Sequence, residues 1–153
     1  MRVNASLFPI ALSGKIIKGF GRGSKELGIP TANFSEEVVA SLPAELSTGI
    51  YFGWAQIDAE LPEKMVASIG WNPFYKNEKK TVETHILKEY SGDLYDRSLR
   101  VLISGYIREE RDYKSLDDLI KDIQGDIAFA KEQLERDSEL SGLRNHSLFG
   151  TKE

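Results

Sequence analysis

The stretch Ser98–Arg108 (SLRVLISGYIR) puts Leu99, Val101, Ile103, Gly105 and Ile107 on one side of an extended chain, an alternation with the period of a strand. Runs of the same character precede it. Gly49–Ile57 is β-branched and aromatic throughout. In 64–71, Met65, Ala67, Ile69 and Trp71 alternate with Val66, Ser68 and Gly70, and in 79–87 Val82, Thr84 and Ile86 alternate with Glu83 and His85. An earlier strand is expected over 11–19, through Leu12, Ile16 and Ile17. The breaks at 58–63, 72–77 and 88–97 are short, so 49–57 and 64–71 are expected to form a hairpin. Over 36–46, with Pro43 inside it, a surface turn or short irregular piece is expected. Five or six short antiparallel strands expose unpaired edges unless the sheet closes. A small closed barrel is therefore expected, with an open sheet packed on a helix as the alternative.

The period changes after Ser115. Ser115-Leu116-Asp117-Asp118 opens like a capping box, and Leu116, Leu119, Ile120, Ile123, Ile127, Ala130 and Leu134 follow at helical spacings to about Glu135. That single helix is expected to cap the barrel. Gly125 weakens its middle, and a close approach of another backbone is the expected reason. Residues 136–153 keep no period and are expected to form a loosely packed tail.

The chain of 153 residues suits one domain, 1–153, with its core at about 14–135. A net charge of −4 argues against a nucleic-acid partner, although a local basic pocket remains compatible with it. Without cysteine there is neither a disulfide nor a thiolate metal site, and a reducing, cytoplasmic setting is expected. No run has membrane-spanning length, and 5–12 is too short and too interrupted to suggest a cleaved leader.

Four glycines lie within 19–28, in the stretch Gly19-Phe20-Gly21-Arg22-Gly23-Ser24-Lys25-Glu26-Leu27-Gly28. Such a loop leaves backbone N–H groups free to meet a phosphate, and Arg22 and Lys25 add cationic charge. It is not a P-loop, because Ile29-Pro30 stands where Lys and Ser/Thr belong, and its spacing also misses G-x-G-x-x-G. Beyond Pro30 an extended run would place Thr31 and Asn33 on one face. Two neutral oxygens there suit a magnesium ion that brings its own phosphate oxygens and water. A glycine-rich hairpin with turn hydrogen bonds is the other reading. Glu83 sits mid-strand opposite Val82 and Ile86, mounted rigidly enough to meet a hydroxyl, or else merely solvated. His85 shares its face. With only His85 and His146 in the chain, a histidine-rich metal site is not expected. Arg108 ends the last strand and Tyr113 precedes the helix, so both can border a pocket between barrel and helix.

Together these segments resemble the riboflavin kinase family, of the monofunctional eukaryotic type. The resemblance rests on Gly19-Phe20-Gly21-Arg22-Gly23, Gly28-Ile29-Pro30-Thr31-Ala32-Asn33, Gly49-Ile50-Tyr51, Gly70-Trp71-Asn72-Pro73, Glu83-Thr84-His85-Ile86, Gly105-Tyr106-Ile107-Arg108 and Ser115-Leu116, in that order. It implies a six-stranded antiparallel Greek-key barrel with a C-terminal capping helix. It also implies transfer of the ATP γ-phosphate to the ribityl 5′-hydroxyl of riboflavin, giving FMN and ADP. By position in the motifs, Glu83 resembles the catalytic base, and Thr31 and Asn33 the ligands of Mg2+ (or another divalent ion) and ATP. Gly19 and Lys25 resemble phosphate-loop residues, and Ile86, Lys88 and Tyr95 resemble residues of a flap over the nucleotide. Arg108, Arg111 and Tyr113 resemble the flavin-side border. FAD synthesis, which bacterial relatives perform in an added adenylyltransferase domain, is not expected, and the chain is expected to be monomeric. The rival readings are an oligonucleotide-binding barrel and a flavin-binding module without catalysis.

Overall fold

Strand β3 (Gly49–Ile57) is covered on both faces, and that double burial organises the molecule. The computed structural model describes residues 7–17, 31–71, 80–88 and 94–149, with Thr31 described by its backbone alone. The other strands are β1 (Ile10–Lys15), β2 (Thr31–Asn33), β4 (Glu63–Trp71), β5 (Lys80–Ile86) and β6 (Ser98–Arg108). All pair antiparallel, in the order β1-β6-β3-β4-β5-β2. Consecutive strands β3, β4 and β5 lie side by side and β6 returns beside β3, which is a Greek key. The sheet curls into a half-barrel until the chain just beyond β1 reaches β2, where Ile17 N–H donates to the Asn33 carbonyl at 2.8 Å. Helix α1 (Glu36–Val39), capped by the Ser35 hydroxyl, stands where an irregular piece was expected. Helix α2 (Leu116–Arg136) begins at Ser115, whose Oγ accepts from Asp118 N–H at 3.2 Å.

Strand alternation sorts the core into two layers. Tyr51, Ala55, Met65, Ala67, Ile69, Val82, Ile86, Leu99, Val101 and Ile103 fill the concave interior. Phe52, Trp54, Val66 and Leu102 face the other way and meet Ala130 and Leu134 of α2. The helix therefore lies along the outer face of the sheet. Each large apolar side chain so buried contributes about 1.5–3 kcal/mol.

Three expectations need correcting. Ile107 does not share the face of Leu99, because the β3–β6 pairing slips twice: Gly53 pairs with Ile103, Phe52 with Gly105, Tyr51 with Tyr106 and Ile50 with Arg108. One extra residue reverses the alternation, so Tyr106 packs on the inner layer and Ile107 on the outer. Gly125 is not a close-approach site: a Cβ there would meet nothing within 4 Å. Nor is the stretch after Arg136 loose as far as residue 149. Helix α3 (Ser138–Gly142), capped by Asp137, and two 3-10 turns (Leu143–Asn145, Ser147–Phe149) fold onto the outer layer. Trp54 Nε1 donates to the Leu140 carbonyl at 2.9 Å, and Phe149 is buried. The stretch lacks a sustained helical period because it is broken into short turns, from which Leu140, Leu143, Leu148 and Phe149 reach the outer layer.

Candidate active site

Between the outer face of the sheet and the N-terminal half of α2 lies a hollow of about 380 Å³. Helix and sheet separate there because β4 turns small toward this face, with Ser68 and Gly70 following Val66. Leu119 and Ile123 form the roof, and Glu110, Arg111, Asp112 and Tyr113 of the β6–α2 connection close one side. At a volume of that order a small organic ligand fits.

One end belongs to β2 and β5. Asn33 and Glu83 are direct register partners, as are Thr31 and His85. Asn33, Glu83 and His85 all line the hollow. Alternation on β5 explains this: Val82, Thr84 and Ile86 turn into the barrel, leaving Glu83 and His85 outside. Asn33 is 5% exposed and His85 7%. Burial keeps the His85 imidazole neutral, its pKa pulled down to about 4. Neither of its ring nitrogens has a hydrogen-bond partner among the described residues.

The other end is a polar network joining β6 to α2. Arg108 donates from Nε and Nη2 to the two carboxylate oxygens of Asp126 at 2.9 and 2.8 Å. Arg111 Nη1 and the Tyr113 hydroxyl both donate to Asp122 Oδ2, at 2.7 and 2.8 Å. Those two donors, Tyr113 first, hold the Asp122 carboxyl below the usual range. Burial and the same carboxylate push the Tyr113 phenol up. The Arg108–Asp126 pair is largely desolvated, and its two-pronged geometry fixes the guanidinium plane at the wall.

Of the residues singled out from sequence, Asn33, Glu83, Arg108, Arg111 and Tyr113 line one hollow. Three do not. Ile86 is 1% exposed in the inner core, on the face opposite Glu83. Lys88 and Tyr95 are exposed outside the lining, with Lys88 3.8 Å from Glu63 and 3.9 Å from Glu60. Gly19, Lys25 and the Thr31 side chain lie outside the described residues. Sequence reasoning missed Asp126 and Asp122. Their signal was legible: they stand four apart on α2, and Asp126 interrupts the apolar stripe next to Ile127, where a buried carboxylate requires a cation. Among the described residues no cluster of three or more His, Cys, Asp or Glu side chains is placed to hold a metal.

A Greek-key half-barrel with a hollow on its outer face, roofed by a single helix and bounded by a carboxylate at one end and arginines at the other, has the form of a small-molecule site. The family model described as Flavokinase, riboflavin kinase, matches residues 6–134. The chain is 52% identical over 141 residues to the riboflavin kinase of Mus musculus, covering 92% of this chain and 90% of the mouse protein. It is 56% identical over 127 residues to that of Homo sapiens, covering 83% and 82%. The crystal structure of riboflavin kinase from Trypanosoma brucei superposes with a TM-score of 0.73 at 26% identity, over 95% of this chain and 92% of the other. This chain belongs to the riboflavin kinase family.

Proposed function

We infer that the chain carries out the family's reaction, ATP-dependent phosphorylation of riboflavin to FMN, in the hollow between sheet and helix. The observation that carries the assignment of ends is the register of Asn33 with Glu83 on one wall. Directly opposed residues on an antiparallel pair have Cβ atoms about 4.5–5.5 Å apart, so an oxygen ligand and a carboxylate can serve the same transferring phosphate. The nucleotide phosphates belong at this end and the flavin toward Arg108, Arg111 and Tyr113.

Phosphoryl transfer passes through a loose transition state, so positioning and charge compensation dominate. Glu83 orients the ribityl 5′-hydroxyl and takes its proton as the 5′-oxygen bonds to the γ-phosphorus and the bond from that phosphorus to the β–γ bridging oxygen breaks, releasing ADP. The Asn33 amide oxygen and the Thr31 hydroxyl suit Mg2+, which retains water and phosphate oxygens and needs few protein ligands. When bound, that ion compensates charge on the β- and γ-phosphate oxygens. Gly19 and Lys25 are assigned to the phosphate loop on sequence grounds. Tyr113 and Arg111 offer a flat ring and a planar cation beside the flavin. Lys88 and Tyr95 remain assigned to a flap over the nucleotide on sequence grounds, whereas Ile86 belongs to the inner core. We read the protein as one domain acting as a cytoplasmic monomer, in keeping with the lack of cysteine. Among the described residues no helix is long and apolar enough to cross a membrane.

The test is direct. Incubated with riboflavin, ATP and magnesium, the protein should release FMN detectable by chromatography. Stoichiometric flavin retention without ATP consumption would make it a binding module instead. Glu83→Gln should lower kcat roughly 10²–10⁴-fold while riboflavin affinity survives. Unchanged turnover would remove Glu83 from the mechanism.

A further inference from the structure

Adjacent positions on β5 carry two buried polar side chains without a hydrogen bond among the described residues, and the two point in opposite directions. Thr84, 0% exposed, projects into the barrel interior between its register partners Ala32 and Ala67. It is not part of the lining of the hollow. His85 lies on the wall of the hollow, two residues from Glu83 on the same face and in register with Thr31. Its Nδ1 and Nε2 are buried, and neither is satisfied by the described residues. Buried polar atoms are almost always paired, so an orphan on a ligand-facing wall calls for its partner in the ligand. A neutral imidazole keeps one N–H donor, and phosphate oxygens are acceptors only.

We propose that His85 is a further nucleotide-binding residue, whose ring N–H donates to a phosphate oxygen of ATP once the nucleotide occupies the hollow. The proposal rests on the assignment of the β2–β5 end to the nucleotide. Thr84 serves as its internal control, because it is an orphan of the same strand on the face away from the hollow.

The experiment is calorimetric titration with MgADP and, separately, with riboflavin, alongside thermal unfolding of the unliganded proteins. His85→Leu should weaken MgADP binding roughly tenfold, equivalent to about 1.4 kcal/mol, and leave riboflavin affinity within about twofold. Its unliganded Tm should equal or exceed that of the native chain, since an unpaired buried group has been removed. His85→Gln, which keeps an N–H, should recover most of the MgADP affinity. Thr84→Val should raise Tm and change neither affinity. His85→Phe, a ring without an N–H, repeats the measurement should leucine unfold the barrel. A His85→Leu protein that binds MgADP as the native chain does overturns the proposal. So does one that loses both affinities together with Tm, because that marks lost packing. If the native chain itself ignores MgADP while binding riboflavin, the nucleotide reading fails, and this inference with it.

Discussion

At the scale of single residues, Asn33, His85 and Asp126 are polar side chains that the fold buries at the site. Glu83 was legible because it breaks the apolar rhythm of β5, and Asn33 because it follows Pro30 at a strand-compatible spacing. Arg108 was legible as a position but not in its partner. Only the approach of α2 brings Asp126 to it, 18 residues away, at 2.8 Å. His85 was legible as a residue on Glu83's face, yet nothing in the sequence says that its nitrogens go unpaired. Its burial also has a measurable consequence for stability. The folded imidazole titrates near 4, against 6.5 in the open chain. Below about pH 6.5 the unfolded chain takes up the proton first, so this group costs stability as pH falls. The loss stops growing near pH 4, where the folded form protonates too, and approaches about 3 kcal/mol. Urea unfolding between pH 7 and pH 4 should therefore show a steeper decline for the native chain than for His85→Gln. Parallel curves would contradict the neutral buried state.

The strands β3, β4, β5 and β6 and the helix α2 were readable as elements, since local period and capping determine them. The slips in the β3–β6 pairing were not, because a bulge is a relation between two strands, and either sequence alone still reads as an unbroken alternation. The slips set which face Tyr106 and Ile107 occupy, and they leave room for nothing at Gly105: a Cβ there would stand 2.5 Å from Cζ of Phe52. Gly105→Ala should therefore destabilise the chain by about 1–3 kcal/mol through overpacking of that ring, read as a lower urea midpoint. Gly125→Ala offers the contrast. It meets open space on α2 and should stabilise by the helix-propensity difference alone, up to about 1 kcal/mol.

At the scale of the whole molecule, the C-terminal segment holds the outer layer shut. Gln56 Nε2 donates to the Phe149 carbonyl at 3.3 Å, and Arg144 stacks over the Trp54 ring at 5.7 Å. Trp54→Phe removes the bond to the Leu140 carbonyl while keeping a ring in place, and should cost about 1 kcal/mol. In a domain of this size that appears as a Tm lowered by about 2–4 °C. An unchanged Tm would mean that the segment is not clamped through this residue. Taken alone, the sequence determined the strand runs, the helix with its cap, the face that Glu83 and His85 share, and the family. The elements and the shared face depend on residues two to four positions apart, where backbone geometry leaves little choice, and the family on the order of motifs along the chain. Tertiary structure decided that the helix lies along the sheet rather than over its end, that the chain after Arg136 packs on Trp54, and that Arg108 is spoken for by Asp126. Each of these depends on which distant surfaces bury the most apolar area together, and no local period encodes that choice.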